Sequence, residues 1–225
     1  MCGRFANAET IPAMRQHFNA GGPEVDWSPS WNICPTQLIP VLLGDRSSRR
    51  IGLMRWGWNP DALDGRLLIN CRGEEAHAKR MFQEPLIRRR CLVPATAFYE
   101  WQPAATPKGR PQPFTFAPAA PGLIAIGGLW VPTVSAEGSK GGSVILMTVP
   151  ANSAVAPVHD RMPLVIGPDS ITDWLDGSTD ADAIQALIVP TPAEVWRSWE
   201  ISRAISDVKR DGPEIQAAHV PTDLA

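Results

Sequence analysis

An α+β fold with a mostly antiparallel, barrel-like sheet core and short peripheral helices is what this 225-residue sequence predicts. Three observations carry that prediction. Nine short stretches rich in β-branched and aromatic residues read as strands. Pro and Gly together make 41 of the 225 residues, about 18%, which favours frequent turns. The strand stretches are divided by those turns rather than by regular helices, which argues against a doubly wound parallel sheet.

Taken in order, the first element is a helix. Ile11, Met14 and Phe18 recur at helical spacing after Thr10, an N-cap residue type, and Gly21-Gly22 closes the run. Strands follow at 38–43, 51–56 and 66–69. A second helix is predicted over 74–83, with acids in its first turn and Pro85 just beyond its end. Further strands are predicted at 90–93, 97–101, 113–116, 123–130, 144–149 and 164–166. Short helices are predicted at 169–175, 180–187 and 193–199, the last on a Val195/Trp196/Trp199 stripe. Residues 104–113 and 135–142 read as surface loops. No internal repeat or composition break divides residues 1–225, so one domain is expected.

Composition excludes several classes. At 44% hydrophobic and 20% charged the chain is globular rather than disordered. No run approaches the ~18 apolar residues of a membrane span. Met1-Cys2-Gly3-Arg4-Phe5 lacks the apolar core of a signal peptide, so a cytoplasmic protein is expected. Cys2, Cys34, Cys71 and Cys91 show no metal-ligand spacing among themselves or with the four histidines, so neither a metal nor another cofactor is expected.

The formal net charge of −2 argues at first against a nucleic-acid binder. The total conceals an asymmetry: residues 1–110 carry a net of +5 and residues 111–225 a net of −7. Arg outnumbers Lys 17 to 4, and the guanidinium fork suits phosphate. Nine Trp against one Tyr adds side chains that fill cores or stack on bases.

Four segments carry groups with chemistry. Cys2 would, on removal of Met1, place an α-amine and a thiol on adjacent carbons. An α-amine titrates near ~7.7–8.0 and so is partly neutral at pH 7. It can condense with an aldehyde to an imine onto which the thiol closes as a thiazolidine. The other chemistry open to Cys2 is thiol attack on an acyl carbon, while its position alone equally suits a frayed chain end with an inert thiol. Asn70 and Arg72 alternate at the end of an apolar run and so share a face. Either they hold a polar substrate or phosphate, or Asn70 caps backbone and Arg72 pairs with Glu74 or Glu75. Glu100 lies among aromatics in Ala97-Phe98-Tyr99-Glu100-Trp101. Desolvation there would raise its pKa into the range useful for acid–base work, whereas strict strand alternation would turn it to water. His159 and Arg161 lie in a loop bracketed by Pro157 and Pro163; His159 is either a group that titrates near neutrality for chemistry or a loop histidine with a structural hydrogen bond, which Asp160 would serve equally.

Together these segments resemble the SOS response-associated peptidase (SRAP) family of abasic-site-processing proteins. The resemblance runs through Met1–Phe5, Trp31-Asn32-Ile33-Cys34-Pro35-Thr36-Gln37, Met54-Arg55-Trp56-Gly57, Ile69-Asn70-Cys71-Arg72 with Glu74, and Arg89 to Pro94. It continues through Phe98-Tyr99-Glu100-Trp101, Gly128-Leu129-Trp130, His159 to Pro163, and Asp207 to Glu214. It implies the SRAP fold and covalent capture of abasic sites in single-stranded DNA as part of the SOS DNA-damage response. It also implies that Cys2 is the nucleophile and that Met1 is removed by self-processing. Glu100 would be the acid/base, His159 would assist at the sugar oxygen, and Asn70 would orient Cys2 and the sugar. Arg4, Arg72 and Arg161 would hold phosphates. Trp56 and Trp58 are candidates either for stacking on neighbouring bases or for the core, and a monomer is expected. Cys71, Glu75 and Ser206 depart from the common Ala, Thr and Asn of the pattern, and Cys71 would bring a second thiol near the site. A cysteine peptidase acting on other proteins, and a non-catalytic single-strand binder, stand as the competing classes.

Overall fold

The computed structural model describes residues 2–60, 63–134, 138 and 140–219. Two sheets share one core. Strands β1 (Phe5–Asn7), β2 (Ser30–Ile33), β7 (Ala97–Gln102), β8 (Gln112–Pro118) and β12 (Trp196–Glu200) form an antiparallel sheet in the order β12-β8-β7-β1-β2. The second sheet holds β3 (Leu38–Gly44), β4 (Arg49–Trp56), β6 (Arg90–Ala95), β9 (Ile124–Val134) and β10 (Lys140–Pro150). These five pair in a closed ring, because β9 pairs with β10 and β10 with β4. Only the β10–β4 contact in that ring is parallel, so the expected antiparallel barrel-like core is present.

Strand β10 outruns the ring. Residues 140–146 pair with β9, and Ser143 and Val144 with β4. Farther on, Leu146 to Thr148 pair with β5 (Asn70–Arg72), and Thr148 to Pro150 with β11 (Arg161–Pro163). A strand has two edges, so β5 continues the edge of β4 and β11 the edge of β9. The extension thereby places the Asn70 and Arg161 segments side by side.

Helix α1 (Ile11–Phe18) forms as the periodicity requires. Thr10 accepts from the Ala13 N–H, and Ile11, Met14 and Phe18 are buried. Its end differs slightly: Asn19, in the left-handed conformation, caps it before the glycines are reached. The helix predicted over 74–83 is two elements, α2 (Gly73–Ala76) and α3 (Arg80–Arg88). Pro85 lies inside α3. Burial of Phe82, Pro85 and Leu86 on one stripe offsets the hydrogen bond the proline cannot make. Short helices α4 (Ile171–Leu175) and α5 (Ala181–Ala186) stand where expected.

Other expectations shift. Residues 196–200 form β12 rather than a helix, paired with β8 from Trp196↔Pro118 to Glu200↔Phe114. The open edge of β8 supplies hydrogen bonds that outweigh a short helical pattern. The 66–69 stretch makes one bridge, Trp58↔Leu68, and the strand itself starts at Asn70. The 164–166 stretch makes only one bridge, Val165 to Ile126, and the strand lies just before it, as β11 over Arg161–Pro163. β1 and β2 carry no strand signal in the sequence because each is too short for an alternation to register. Of the expected loop at 135–142, residues 140–142 belong to β10, while 135–137 and 139 lie outside the described residues.

The basic triplet Arg88-Arg89-Arg90 divides its duties. The Arg90 side chain is buried and donates only to backbone carbonyls, those of Leu86, Ile87, Trp174 and Asp176. It closes the C-terminal end of α3 and the turn after α4. Burial holds its pKa down at about 10, still charged at neutral pH. Arg90→Ala is expected to cost about 2–4 kcal/mol in urea unfolding, since several buried acceptors lose their donor. An unchanged midpoint would remove Arg90 from the framework.

Candidate active site

The site lies at the seam between the sheets. β1 pairs with β7 through Phe5↔Phe98 and Ala6↔Ala97, and the Tyr99 N–H donates to the Arg4 carbonyl at 3.0 Å. Followed backwards, that register carries the start of the chain along β7 to Glu100. From the other sheet, Asn70 of β5 donates through Nδ2 to the Cys2 carbonyl at 2.7 Å. Its Oδ1 is buried without a hydrogen-bond partner, an acceptor turned to the same place. Cys2 itself is fully buried, with Sγ 4.0 Å from the Arg4 carbonyl oxygen.

Glu100 is 2% exposed, and the desolvation reading of the sequence describes its setting. Burial pushes its carboxyl from an ordinary 4.5 up to about 7. Burial, followed by the negative charge of Glu100, pushes the Cys2 thiol up and holds it protonated at neutral pH.

His159 faces Glu100, with Nε2 3.8 Å from Oε2. Its Nδ1 accepts the backbone N–H of Arg161 at 2.9 Å. In the neutral ring the proton therefore sits on Nε2, toward the carboxyl. Burial lowers the His159 pKa, although Asp160 stands 3.0 Å from Nδ1.

The arginines take three different roles. Arg161 is buried and makes a two-pronged ion pair with Glu74, one prong at 2.8 Å, and donates to the Thr148 carbonyl at 2.7 Å. The Arg161 bond is the main cause that holds the Glu74 carboxyl below its usual range. Arg161 is thus a clamp between β11, α2 and β10, rather than the open phosphate ligand expected of it. Arg4 donates to Asn32 and to the Ile205 carbonyl and lies 6.0 Å from the centre of the Trp101 ring. It is engaged with the C-terminal segment. Arg72 alone projects, with a side chain 57% exposed and paired to Glu75 at 2.8 Å.

The two tryptophans also separate. Trp56 is completely buried, packs edge-on against Phe5 at 5.1 Å, and donates from Nε1 to the Ile69 carbonyl. No face of it is open to a base, and of its two candidate roles the core is the one it fills. Trp58 is half-buried, with part of its surface open. Cys71 does carry a second thiol into this region. It is buried, and burial pushes its pKa up to about 12, so the thiol stays protonated at neutral pH. No group of three metal-ligating side chains occurs among the described residues.

Two contributors carried no role in the sequence. Thr148 holds Arg161 through its carbonyl, a backbone contact invisible to residue type. Buried Asn32 binds the carbonyls of Asp207 and Arg210 at 3.1 and 2.6 Å and so fastens the C-terminal segment to β2. The Trp31-Asn32 motif was its only signal.

A carboxyl that titrates near neutrality, an imidazole of defined tautomer and a buried amide are thus gathered around the cysteine at the chain's second position. The chain belongs to the SOS response associated peptidase (SRAP) family, whose model matches residues 1–208. It is 31% identical over 226 residues to the abasic site processing protein YoqW of Bacillus subtilis, covering 97% of this chain and 100% of that one. It is 28% identical over 233 residues to the abasic site processing protein YedK of Escherichia coli, covering 96% and 98%. A crystal structure of a protein from Bacteroides thetaiotaomicron superposes with a TM-score of 0.87 at 18% identity, covering 97% of this chain and 100% of that one, and shows the same fold.

The raised Glu100 pKa has a sign that stability reports. Below about 4.5 the carboxyl is neutral in both folded and unfolded chains. Between 4.5 and about 7 the unfolded chain releases a proton that the folded one keeps, so stability falls as pH rises and then levels. Melting curves from pH 4.5 to 8 are expected to show this decline in the wild type and a flatter profile in Glu100→Gln. Parallel profiles would contradict the buried-acid assignment.

Proposed function

We propose that this protein captures abasic sites in single-stranded DNA by a covalent bond to Cys2. With Met1 in place the Cys2 nitrogen is an amide. Hydrolysis of the Met1–Cys2 bond, by self-processing, frees the amine that the reaction needs. The ring-opened abasic sugar presents an aldehyde at C1′. The Cys2 amine adds to it, and loss of water gives the imine. The thiol sulfur then bonds to the imine carbon while its proton passes to nitrogen, closing the thiazolidine. Amine, thiol and aldehyde become one ring and one water, with no oxidant or cofactor in the balance.

The convergence of Glu100, with a pKa of about 7, on the Cys2 end of the chain carries this proposal. Such a carboxyl both donates and accepts a proton near pH 7, as carbinolamine formation and dehydration require. His159, with its proton on Nε2, suits the sugar oxygen. Asn70 holds Cys2 through its carbonyl and keeps an unpartnered oxygen for a sugar hydroxyl. The upward push on the Cys2 thiol supports amine attack first. It counts against a thiolate acting on other proteins. The names of the relatives, abasic site processing proteins, point to the same class of substrate.

Intact mass spectrometry before and after mixing with an abasic oligonucleotide reads Met1 loss and adduct together. A covalent adduct is expected for the wild type and none for Cys2→Ala. For Glu100→Ala, adduct formation is expected to slow by ~10²–10⁴-fold, the usual worth of a positioned acid/base, with DNA affinity kept. Wild-type adduct yield from Cys2→Ala would overturn the thiazolidine.

Salt dependence separates the arginines. Arg72→Gln is expected to reduce the slope of log affinity against log salt by ~0.7, the value for one single-strand phosphate contact. Removing the clamp as a pair, in Glu74→Gln/Arg161→Gln, is expected to leave the slope unchanged and to slow adduct formation. A slope loss in the pair variant equal to that of Arg72→Gln would return Arg161 to phosphate binding.

A further inference from the structure

Strand alternation gives the first sheet two buried faces. Phe5, Phe98 and Phe116 point into the main core together with Cys2, and Glu100 shares the Phe98 side of β7. Ala6, Ala97, Tyr99 and Ala117 form a second cluster with Ile201, Ile205 and Ile215. Residues 201–219 thus form a strap behind the strand that leads back to Cys2 and the strand that carries Glu100.

Polar contacts fasten this strap, and they converge on residues beside the reacting groups. Gln216 donates to the Tyr99 hydroxyl at 2.8 Å, and that hydroxyl donates to the Trp31 carbonyl at 2.7 Å. Tyr99 immediately precedes Glu100. The exposed Asp211 accepts the Trp31 N–H at 2.6 Å. Asn32 stands at the centre. It is 2% exposed, and its Nδ2 faces the carbonyls of Ile205, Asp207 and Arg210. Its Oδ1 accepts from Arg4 Nη1, which also donates to the Ile205 carbonyl at 2.8 Å. One buried amide therefore joins β2, the strap and the fourth residue of the chain.

The chain start depends on that junction. A terminus frays unless it is tied down, and Gly3 has no side chain to tie. Once Met1 is removed, Cys2 is attached by the Asn70 bond to its carbonyl and by the link through Gly3 to Arg4. Two residues reach at most ~7 Å, so a fixed Arg4 confines the Cys2 amine to a small volume. The Arg4 carbonyl accepts the Tyr99 N–H at 3.0 Å, which is one fixed point. The side-chain bond to Asn32 is a second, and two fixed points remove the rotation that one would leave.

We infer that Asn32 is a positioning residue for the reaction of Cys2. Through Arg4 it sets where the chain start stands relative to Glu100, and through the strap it braces β7 from behind. It acts through Arg4 rather than on the reacting atoms. This role rests on the covalent capture proposed above and names the residue that aligns it.

Single-turnover adduct formation at several concentrations of an aldehydic abasic oligonucleotide separates rate from binding. Asn32→Ala is expected to lower the limiting rate ~10-fold or more, since small displacements of reacting groups cost that much, and to leave the half-saturating DNA concentration unchanged. A merely destabilised protein would instead lose reaction amplitude, from fewer folded molecules, and keep its rate. Asp211→Ala removes the exposed clasp on Trp31 and is expected to slow the reaction in the same sense but less. It carries the test should Asn32→Ala fail to fold. In a Glu100→Ala background the loss from Asn32→Ala is expected to shrink, because there is no carboxyl left to align against. An unchanged limiting rate in the variants that fold would overturn the assignment, as would equal losses with and without Glu100. A raised half-saturation at full rate would move Asn32 to DNA binding and also overturn it.

Amide hydrogen exchange reads the geometry without the chemistry. The Tyr99 N–H, bonded to Arg4, is expected to exchange faster in Asn32→Ala while the β7–β8 ladder keeps its protection. Unchanged exchange at Tyr99 would overturn the tether. Absence of any adduct with wild-type protein refutes covalent capture, while the Tyr99 amide still decides whether Asn32 holds the chain start.

Discussion

One strand longer than its barrel organises this molecule. The first half of β10 closes the five-strand ring between β9 and β4. Its second half has no ring to close, and its free backbone groups are taken by β5 and β11. Those two short strands hold Asn70 and Arg161. The chain start reaches them from the other sheet, and the Asn70–Cys2 hydrogen bond joins the two halves. Without the extension, Asn70 and the His159 loop would have no common support.

The electrostatics of the site follow from the same packing. A carboxyl enclosed between sheets loses water and so titrates near neutrality rather than near 4.5. The Arg161 clamp acts indirectly. By fixing the start of β11 it fixes the amide that bonds His159 Nδ1, and that bond selects the ring tautomer. An ion pair buried in this way is a costly means of adding stability. Its effect here is positional: it holds the ring with Nε2 turned to Glu100.

Accessibility divides residues that look alike in sequence. Trp56 and Trp58 are two positions apart, yet one is core and the other lines an open groove. Positive φ at Gly57 turns the chain between them and breaks the strand register that would have placed both on one face. Arg72 and Arg161 likewise share a residue type and a neighbourhood. The first projects to solvent with Glu75, and the second is enclosed with Glu74 and Thr148.

The sequence by itself determined the α+β class, the first helix with its Thr10 cap, most of the strands, and the identity of Cys2, Asn70, Glu100 and His159 as groups worth attention. These are local properties: hydrophobic period, turn residues, and reactive side chains in apolar runs. Tertiary structure alone decided that residues 196–200 are a strand, because the edge of β8 was open to them. It alone decided that Glu74 belongs to Arg161 and Glu75 to Arg72, and that Trp56 is enclosed. These outcomes turn on distant neighbours, such as Asn70 on Cys2 or Arg161 on Glu74, separated by 68 and 87 positions. Local pattern carries no record of which distant segment will arrive.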